Sequence, residues 1–136
     1  MIKFIIGKKG SGKTSTLIEK VNEAVKTDKG HLVFINDSQR HIFDLDHKVR
    51  LVDTQDFHVA TYQTMYGLLC GIISLDYDIS TIFIDSITKI VKCEDLKDAQ
   101  GAIEDIANLC EKAGVELIVT ASVAVEDAPE FIKKYV

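Results

Sequence analysis

Five short apolar runs alternate with helix-like segments along the chain, and this alternation limits the folds open to it. The runs are rich in β-branched and aromatic residues, as buried strands are; they cover residues 2–6, 32–35, 49–52, 81–84 and 115–120. Apolar residues recur at helical spacing between the runs. We therefore predict an α/β fold: a three-layer sandwich in which a mostly parallel, five-stranded sheet carries helices on both faces.

The helices have recognisable ends. We predict helices over residues 14–27, 38–45, 57–74, 95–113 and 129–136. The short helix over 38–45 would carry Ile42, Phe43 and Leu45 inward. Gly30 and Gly114 follow the first and fourth helices as stop signals, and Pro129 opens the last. Asp53 or Asp56 is expected to cap the helix that starts near Phe57.

Composition indicates one ordinary domain spanning residues 1–136. The hydrophobic fraction is 46% and the net charge is −5, which disfavours disorder and nucleic-acid binding. The odd cysteine count, without metal-type spacing, indicates reduced thiols. We see neither a signal peptide nor an apolar run of about 20 residues. A cytoplasmic protein without a membrane span is therefore expected.

The segment between the first strand and the first helix is glycine-rich and basic. Residues 7–14 match the pattern G-x-x-x-x-G-K-[ST] at every fixed position. Glycines allow the backbone to wrap closely around phosphates, and the start of the helix adds a positive end. Lys13 would supply a charge to the β and γ phosphates, and Thr14 a hydroxyl to Mg²⁺. The predicted nucleotide-contacting residues are Gly7, Lys8, Lys9, Gly10, Ser11, Gly12, Lys13, Thr14 and Ser15.

This segment resembles the Walker A loop of P-loop nucleoside triphosphatases. The run 81–85, in which four strand residues are followed by Asp85, resembles the Walker B strand of that family, which implies that Asp85 and Thr14 hold Mg²⁺. Ser86 directly follows the aspartate, which resembles the aspartate-serine pair in the Walker B strand of the RecA-like branch. The strand that ends near Thr120 resembles the one that carries a γ-phosphate-sensing side chain there. The resemblance implies ATP, or another nucleoside triphosphate, and Mg²⁺ as ligands.

The chain departs from many hydrolases of that family after Asp85, where Ser86 replaces a water-orienting glutamate. The RecA-like branch can draw this acid from another strand end, so Asp37 is a candidate catalytic residue beside Lys13. Capping of the helix at Ser38 is an equal alternative for Asp37, whereas capping is the favoured role of Asp53.

The remaining charged residues carry weaker signals. Arg40 and Arg50 could act in the site of a neighbouring subunit, although a surface role is the simpler interpretation. The four histidines lack metal-ligand spacing, and we expect them to be solvated or to cap helices. They are His31, His41, His47 and His58.

The function expected from the sequence is therefore ATP-Mg²⁺ binding with slow ATP hydrolysis, as an oligomer or with a protein partner. Two alternatives stay open. The first is a nucleotide-dependent switch without appreciable hydrolysis, which the missing acid favours. The second is a small phosphotransferase that lacks a lid. The sequence does not reveal the preferred base.

Overall fold

The computed structural model describes residues 1–93 and 95–136. In these ranges the chain forms five strands and five α-helices. The strands are β1 (Ile2–Gly7), β2 (His31–Asn36), β3 (Arg50–Asp53), β4 (Ile79–Ile84) and β5 (Glu116–Ser122). The helices are α1 (Lys13–Thr27), α2 (Tyr62–Leu75), α3 (Ile87–Ile90), α4 (Gln100–Ala113) and α5 (Glu130–Lys133).

The five strands of the described chain form one sheet in the order β1-β5-β4-β2-β3, with every adjacent pair parallel. The predicted α/β class with its five-stranded parallel sheet is confirmed. Strand β5, the last in sequence, lies between β1 and β4. The carboxyl ends of β1, β4 and β5 consequently meet at one edge of the sheet.

Helices cover both faces of the sheet. On one face, Leu17 and Val21 of α1 pack against Phe34 and Phe83. On the other face, α2 and α4 pack against alternate residues of the same strands, such as Ile35, Ile82 and Ile84. This alternation follows from the two-residue period of a strand. Residues 34 and 83 therefore face α1, and so do the side chains two positions further along each strand.

The short helix predicted over residues 38–45 is wrong. The segment forms successive turns, and Phe43, expected inside, is 98% exposed. Leu45 alone of the three apolar residues predicted to point inward is buried. The side chain of Asn22 on α1 holds the segment by donating to the Asp44 carbonyl and accepting from the Asp46 N–H. Contacts with α1 thus replace the hydrogen bonds that a helix would form.

The long second helix begins later than predicted. It starts at Tyr62, where Thr61 and Thr64 form a reciprocal capping box. Asp53 accepts from the Gln55 N–H and caps a separate 3-10 turn, Thr54–Phe57. His58 follows in the left-handed conformation, with φ of 55°. The prediction that Asp53 or Asp56 caps the long helix is therefore wrong, and Asp53 caps a different helical segment.

The other predicted boundaries differ less. The predicted helix 95–113 is divided into a 3-10 turn, Leu96–Ala99, and α4, which Gly114 ends in the left-handed conformation. The carboxyl-terminal helix is limited to Glu130–Lys133 and follows Pro129. In the described residues, no helix has the length and apolar character needed to cross a membrane.

Candidate functional site

The loop between β1 and α1 requires glycine at several positions. Gly10 and Gly12 have φ of 83° and 87°, in the left-handed region that most residues avoid. A Cβ atom at Gly7 would lie 2.6 Å from the Ser11 Oγ. No side chain caps the amino end of α1, and its first turn carries no acidic residue. The loop therefore leaves a helix amino end open to an anion.

Lys13 lies over this loop rather than in solvent. Lys13 is only 9% exposed, and its Nζ donates a hydrogen bond to the Lys8 carbonyl at 2.9 Å. The ammonium group therefore sits among the backbone groups of the glycine-rich loop. A phosphate bound there would compete with one carbonyl oxygen for this cation, and the charged phosphate is the stronger acceptor.

Asp85 follows β4 and is completely buried. Its carboxylate accepts from the Thr14 Oγ1, with 3.0 and 3.2 Å to its two oxygens. It also accepts from the Thr120 Oγ1 at 2.7 Å. The Thr120 oxygen in turn accepts from the Ser86 N–H at 2.7 Å. Three chain segments that are distant in sequence therefore converge on one carboxylate.

The resemblance implied metal-binding roles for both Thr14 and Asp85, and the fold brings the two side chains into direct contact. A hydroxyl and a carboxylate are the hard oxygen ligands that Mg²⁺ prefers, and Mg²⁺ completes its shell with water and phosphate oxygens. The donor set present therefore fits a magnesium ion bound next to phosphates. A buried carboxylate with uncompensated charge is costly, which gives a cation at this place a clear electrostatic benefit.

Asp37 follows β2 and is held by two cations. Lys89 Nζ lies 3.1 Å from its Oδ2, and Arg40 Nη2 lies 3.5 Å from its Oδ1. The alternative of an N-cap at Ser38 fails, because residues 38–45 form turns rather than a helix. Arg40, considered as a residue for a neighbouring site, is paired within its own chain. Arg50 is exposed on β3.

Two polar residues at this edge were not identified as site residues from the sequence. Thr120 was noted only through its strand, and its bond to Asp85 was not foreseen. Asn36 is completely buried at the end of β2, and its Nδ2 has no hydrogen-bond partner in the described structure. Its signal was visible in the sequence, since a polar residue ends an apolar strand. We call Asn36, Asp85 and Thr120 the carboxyl-edge row, because they lie side by side near the carboxyl ends of the neighbouring strands β2, β4 and β5.

The histidines lie elsewhere, and one of them takes part in a second polar group. His31 Nδ1 is 2.7 Å from Asp76 Oδ2, and Asp78 lies beside them. These residues stand where β2 and β4 begin, so we call them the amino-edge cluster. The hydrogen bond to Asp76, and the negative charge of that carboxylate, raise the pKa of His31. The bond to His31 and a second from the Asp78 N–H lower the pKa of Asp76.

A groove of about 620 Å³ also opens near the amino ends of the strands, between α1 and the sheet. Lys3, Glu23, Glu116 and Ile118 are among the residues that line it. It extends along α1 from Thr16 to Thr27, and none of residues 7–14, Asp85 or Thr120 lines it. The groove is therefore separate from the site built around Lys13 and Asp85.

Comparisons with known proteins add no family to this description. No protein-family model matches the chain, and no curated protein shows significant similarity to it.

Proposed function

We propose that the chain is a P-loop protein that binds a nucleoside triphosphate, with ATP as the first candidate, together with Mg²⁺. The observation that carries the proposal is the contact between Thr14 and Asp85, at 3.0 Å across 71 residues of sequence. The glycine-rich motif alone predicts a phosphate loop. The contact adds a pair of oxygen ligands, the Thr14 hydroxyl and the Asp85 carboxylate, at the position where a phosphate-bound Mg²⁺ would lie.

The roles divide between backbone and side chains. The N–H groups of the loop and of the first turn of α1 would bind phosphate oxygens, and Lys13 would add a mobile positive charge. Thr14 and Asp85 would hold the magnesium ion, which neutralises charge on the phosphates when bound. Thr120 would orient Asp85, because its hydroxyl donates to that carboxylate. The position of β5 between β1 and β4 is what brings Thr120 next to Asp85.

Hydrolysis is proposed to be slow. A general base needs a carboxylate that can accept a proton from water, and the Asp37 carboxylate is already paired with Lys89 and Arg40. The same observation favours the second candidate function, a switch that binds ATP-Mg²⁺ without appreciable turnover. Phosphate release at saturating ATP-Mg²⁺ separates the two functions. Release that Asp37→Asn abolishes supports the ATPase, and tight binding without release supports the switch.

The proposal is tested by measuring ATP affinity by calorimetry for the wild type, Lys13→Ala and the control Lys20→Ala. Lys20 lies on the same helix and is exposed, so its variant removes an equal charge away from the loop. Hydrogen bonds to charged groups contribute about 1.5–3 kcal/mol, so we expect Lys13→Ala to weaken ATP binding roughly 10- to 150-fold. Equal affinities for the two variants, both folded, would contradict the phosphate-loop assignment.

A further inference from the structure

We propose that Asn36 is a further ligand-contacting residue of this site, and that its carboxamide donates a hydrogen bond to the terminal phosphate of a bound nucleoside triphosphate. This inference rests on the proposed function. It deepens that function by naming the side chain that would distinguish a triphosphate from a diphosphate.

The fold puts Asn36 beside Asp85. Ile35 and Ile84 are register partners in the parallel pair β2–β4, and the Asp85 N–H donates to the Ile35 carbonyl at 3.0 Å. Asn36 and Asp85 are the next residues of these two chains. Both side chains face α1, as Phe34 and Phe83 do two positions earlier. Asn36 therefore lies one strand spacing, about 4.8 Å, from the proposed magnesium ligand.

The side-chain amide of Asn36 uses its acceptor but not its donors. Its Oδ1 accepts from the Asp37 N–H at 2.9 Å, which assigns the orientation of the amide. Its Nδ2, which carries two N–H donors, is buried without a partner among residues 1–93 and 95–136. Buried polar groups without partners are rare in folded proteins. The free group is a donor, so it suits an anionic oxygen and cannot act as a metal ligand through a lone pair.

The neighbouring candidates are already engaged. Thr120 donates to Asp85 and accepts from Ser86, so its hydroxyl orients the carboxylate. Lys89 and Arg40 are paired with Asp37. Asn36 is the member of the carboxyl-edge row that keeps an unused donor.

The Asn36 amide would contact an oxygen of the terminal phosphate. Thr14 and Asp85 would hold a Mg²⁺ ion that neutralises charge on the phosphates of a bound triphosphate, so its terminal phosphate would lie at this edge of the sheet. Asn36 and Asp85 are both completely buried in the structure. A ligand that reaches the Asp85 carboxylate would therefore also lie next to the Asn36 amide.

The test compares ATP-Mg²⁺ with ADP-Mg²⁺ affinity by calorimetry for the wild type, Asn36→Ala and Asn36→Asp. The aspartate keeps an acceptor for the Asp37 N–H but replaces the donor with a negative charge. We expect ATP binding to weaken roughly tenfold or more in each variant, as for a lost bond to a charged group, with ADP binding changed less than about twofold. Asn22→Ala is the matched control, since both amide atoms of Asn22 bind the segment around Asp44.

An ATP-to-ADP affinity ratio equal to that of the wild type in either folded Asn36 variant would overturn the inference. A second measurement needs no variant: the side-chain amide signal of Asn36 in ¹⁵N NMR should shift more with ATP-Mg²⁺ than with ADP-Mg²⁺, which lacks the terminal phosphate. The same response to both nucleotides would also overturn it. A wild type that binds neither nucleotide would instead contradict the proposed function, so the two failures are distinguishable.

Discussion

The two ends of the sheet carry polar groups of opposite character. At the carboxyl ends of the strands, Asp85 is fully buried and bonded to Thr14 and Thr120. At the amino ends, His31 and Asp76 form a bond of similar length, but their side chains are 61% and 36% exposed. Burial makes the first group costly to leave without its partners, whereas water can replace each contact of the second. The difference favours the carboxyl-edge row over the amino-edge cluster as the place of the proposed ligand site.

Replacing one carboxylate with an amide at each end of the sheet should give the largest difference between the two groups. Asp85→Asn keeps the shape of the side chain but removes the charge that would balance Mg²⁺. We expect the gain in ATP affinity that Mg²⁺ confers to fall roughly tenfold or more, since bonds to charged groups contribute about 1.5–3 kcal/mol. ATP binding without metal should persist through Lys13 and the loop.

Asp78→Asn at the amino edge is the matched control, and its magnesium dependence should equal that of the wild type. Affinities measured with and without Mg²⁺ for both variants give the answer. A magnesium effect that survives in Asp85→Asn would mean that the carboxylate has a structural role alone.

Removing the hydroxyl that orients Asp85 should affect stability. Thr120→Val deletes the donor to the carboxylate and the acceptor of the Ser86 N–H. Such a loss in a buried site costs about 1–3 kcal/mol of unfolding free energy. Thr16→Val is the control, because the exposed Thr16 hydroxyl donates to the Gly12 carbonyl and surface changes stay within about 0.5 kcal/mol. Urea unfolding of both variants measures the difference, and equal losses would contradict the importance of the buried network.

The amino-edge cluster should show the smallest effect, visible through pH. The folded-state pKa of His31 lies above its ordinary 6.5, so its stabilisation is complete below pH 6.5 and disappears as pH rises through the raised pKa. The folded-state pKa of Asp76 lies below its ordinary 3.8, so its contribution is present above pH 3.8 and disappears as pH falls through the lowered value. The pair therefore stabilises the fold most between about pH 3.8 and 6.5.

NMR titration of the His31 ring checks this expectation. In Asp76→Asn the pKa of His31 should fall toward its ordinary value, because both the hydrogen bond and the charge that raise it are removed. His58, which lies in another segment, provides the internal reference. A His31 midpoint that is the same with and without Asp76 would show that the exposed bond does not form in solution.

Much of the fold was predictable because it depends on local patterns. Short β-branched runs become strands wherever helices can cover them, and all five predicted strands are present. The errors in the predicted helices arise from contacts between side chains that the helical pattern does not reveal. The segment 38–45 contains a helix-like pattern, but its attachment to Asn22 of α1 keeps it in turns. α2 begins after Thr61, whose side chain forms reciprocal bonds with Thr64, whereas Asp53 caps the separate 3-10 turn that precedes it.

The candidate site divides in the same way. By itself the sequence determined the glycine-rich loop, the lysine over it and the carboxylate at the end of β4, because each requires only neighbouring residues and the left-handed angles of Gly10 and Gly12. The tertiary structure decided which residues meet. Strand order depends on how helices pack across the sheet, and it inserts β5 between β1 and β4. Thr120 therefore reaches Asp85, and Asn36 lies on its other side with an unpaired donor that no local pattern could reveal.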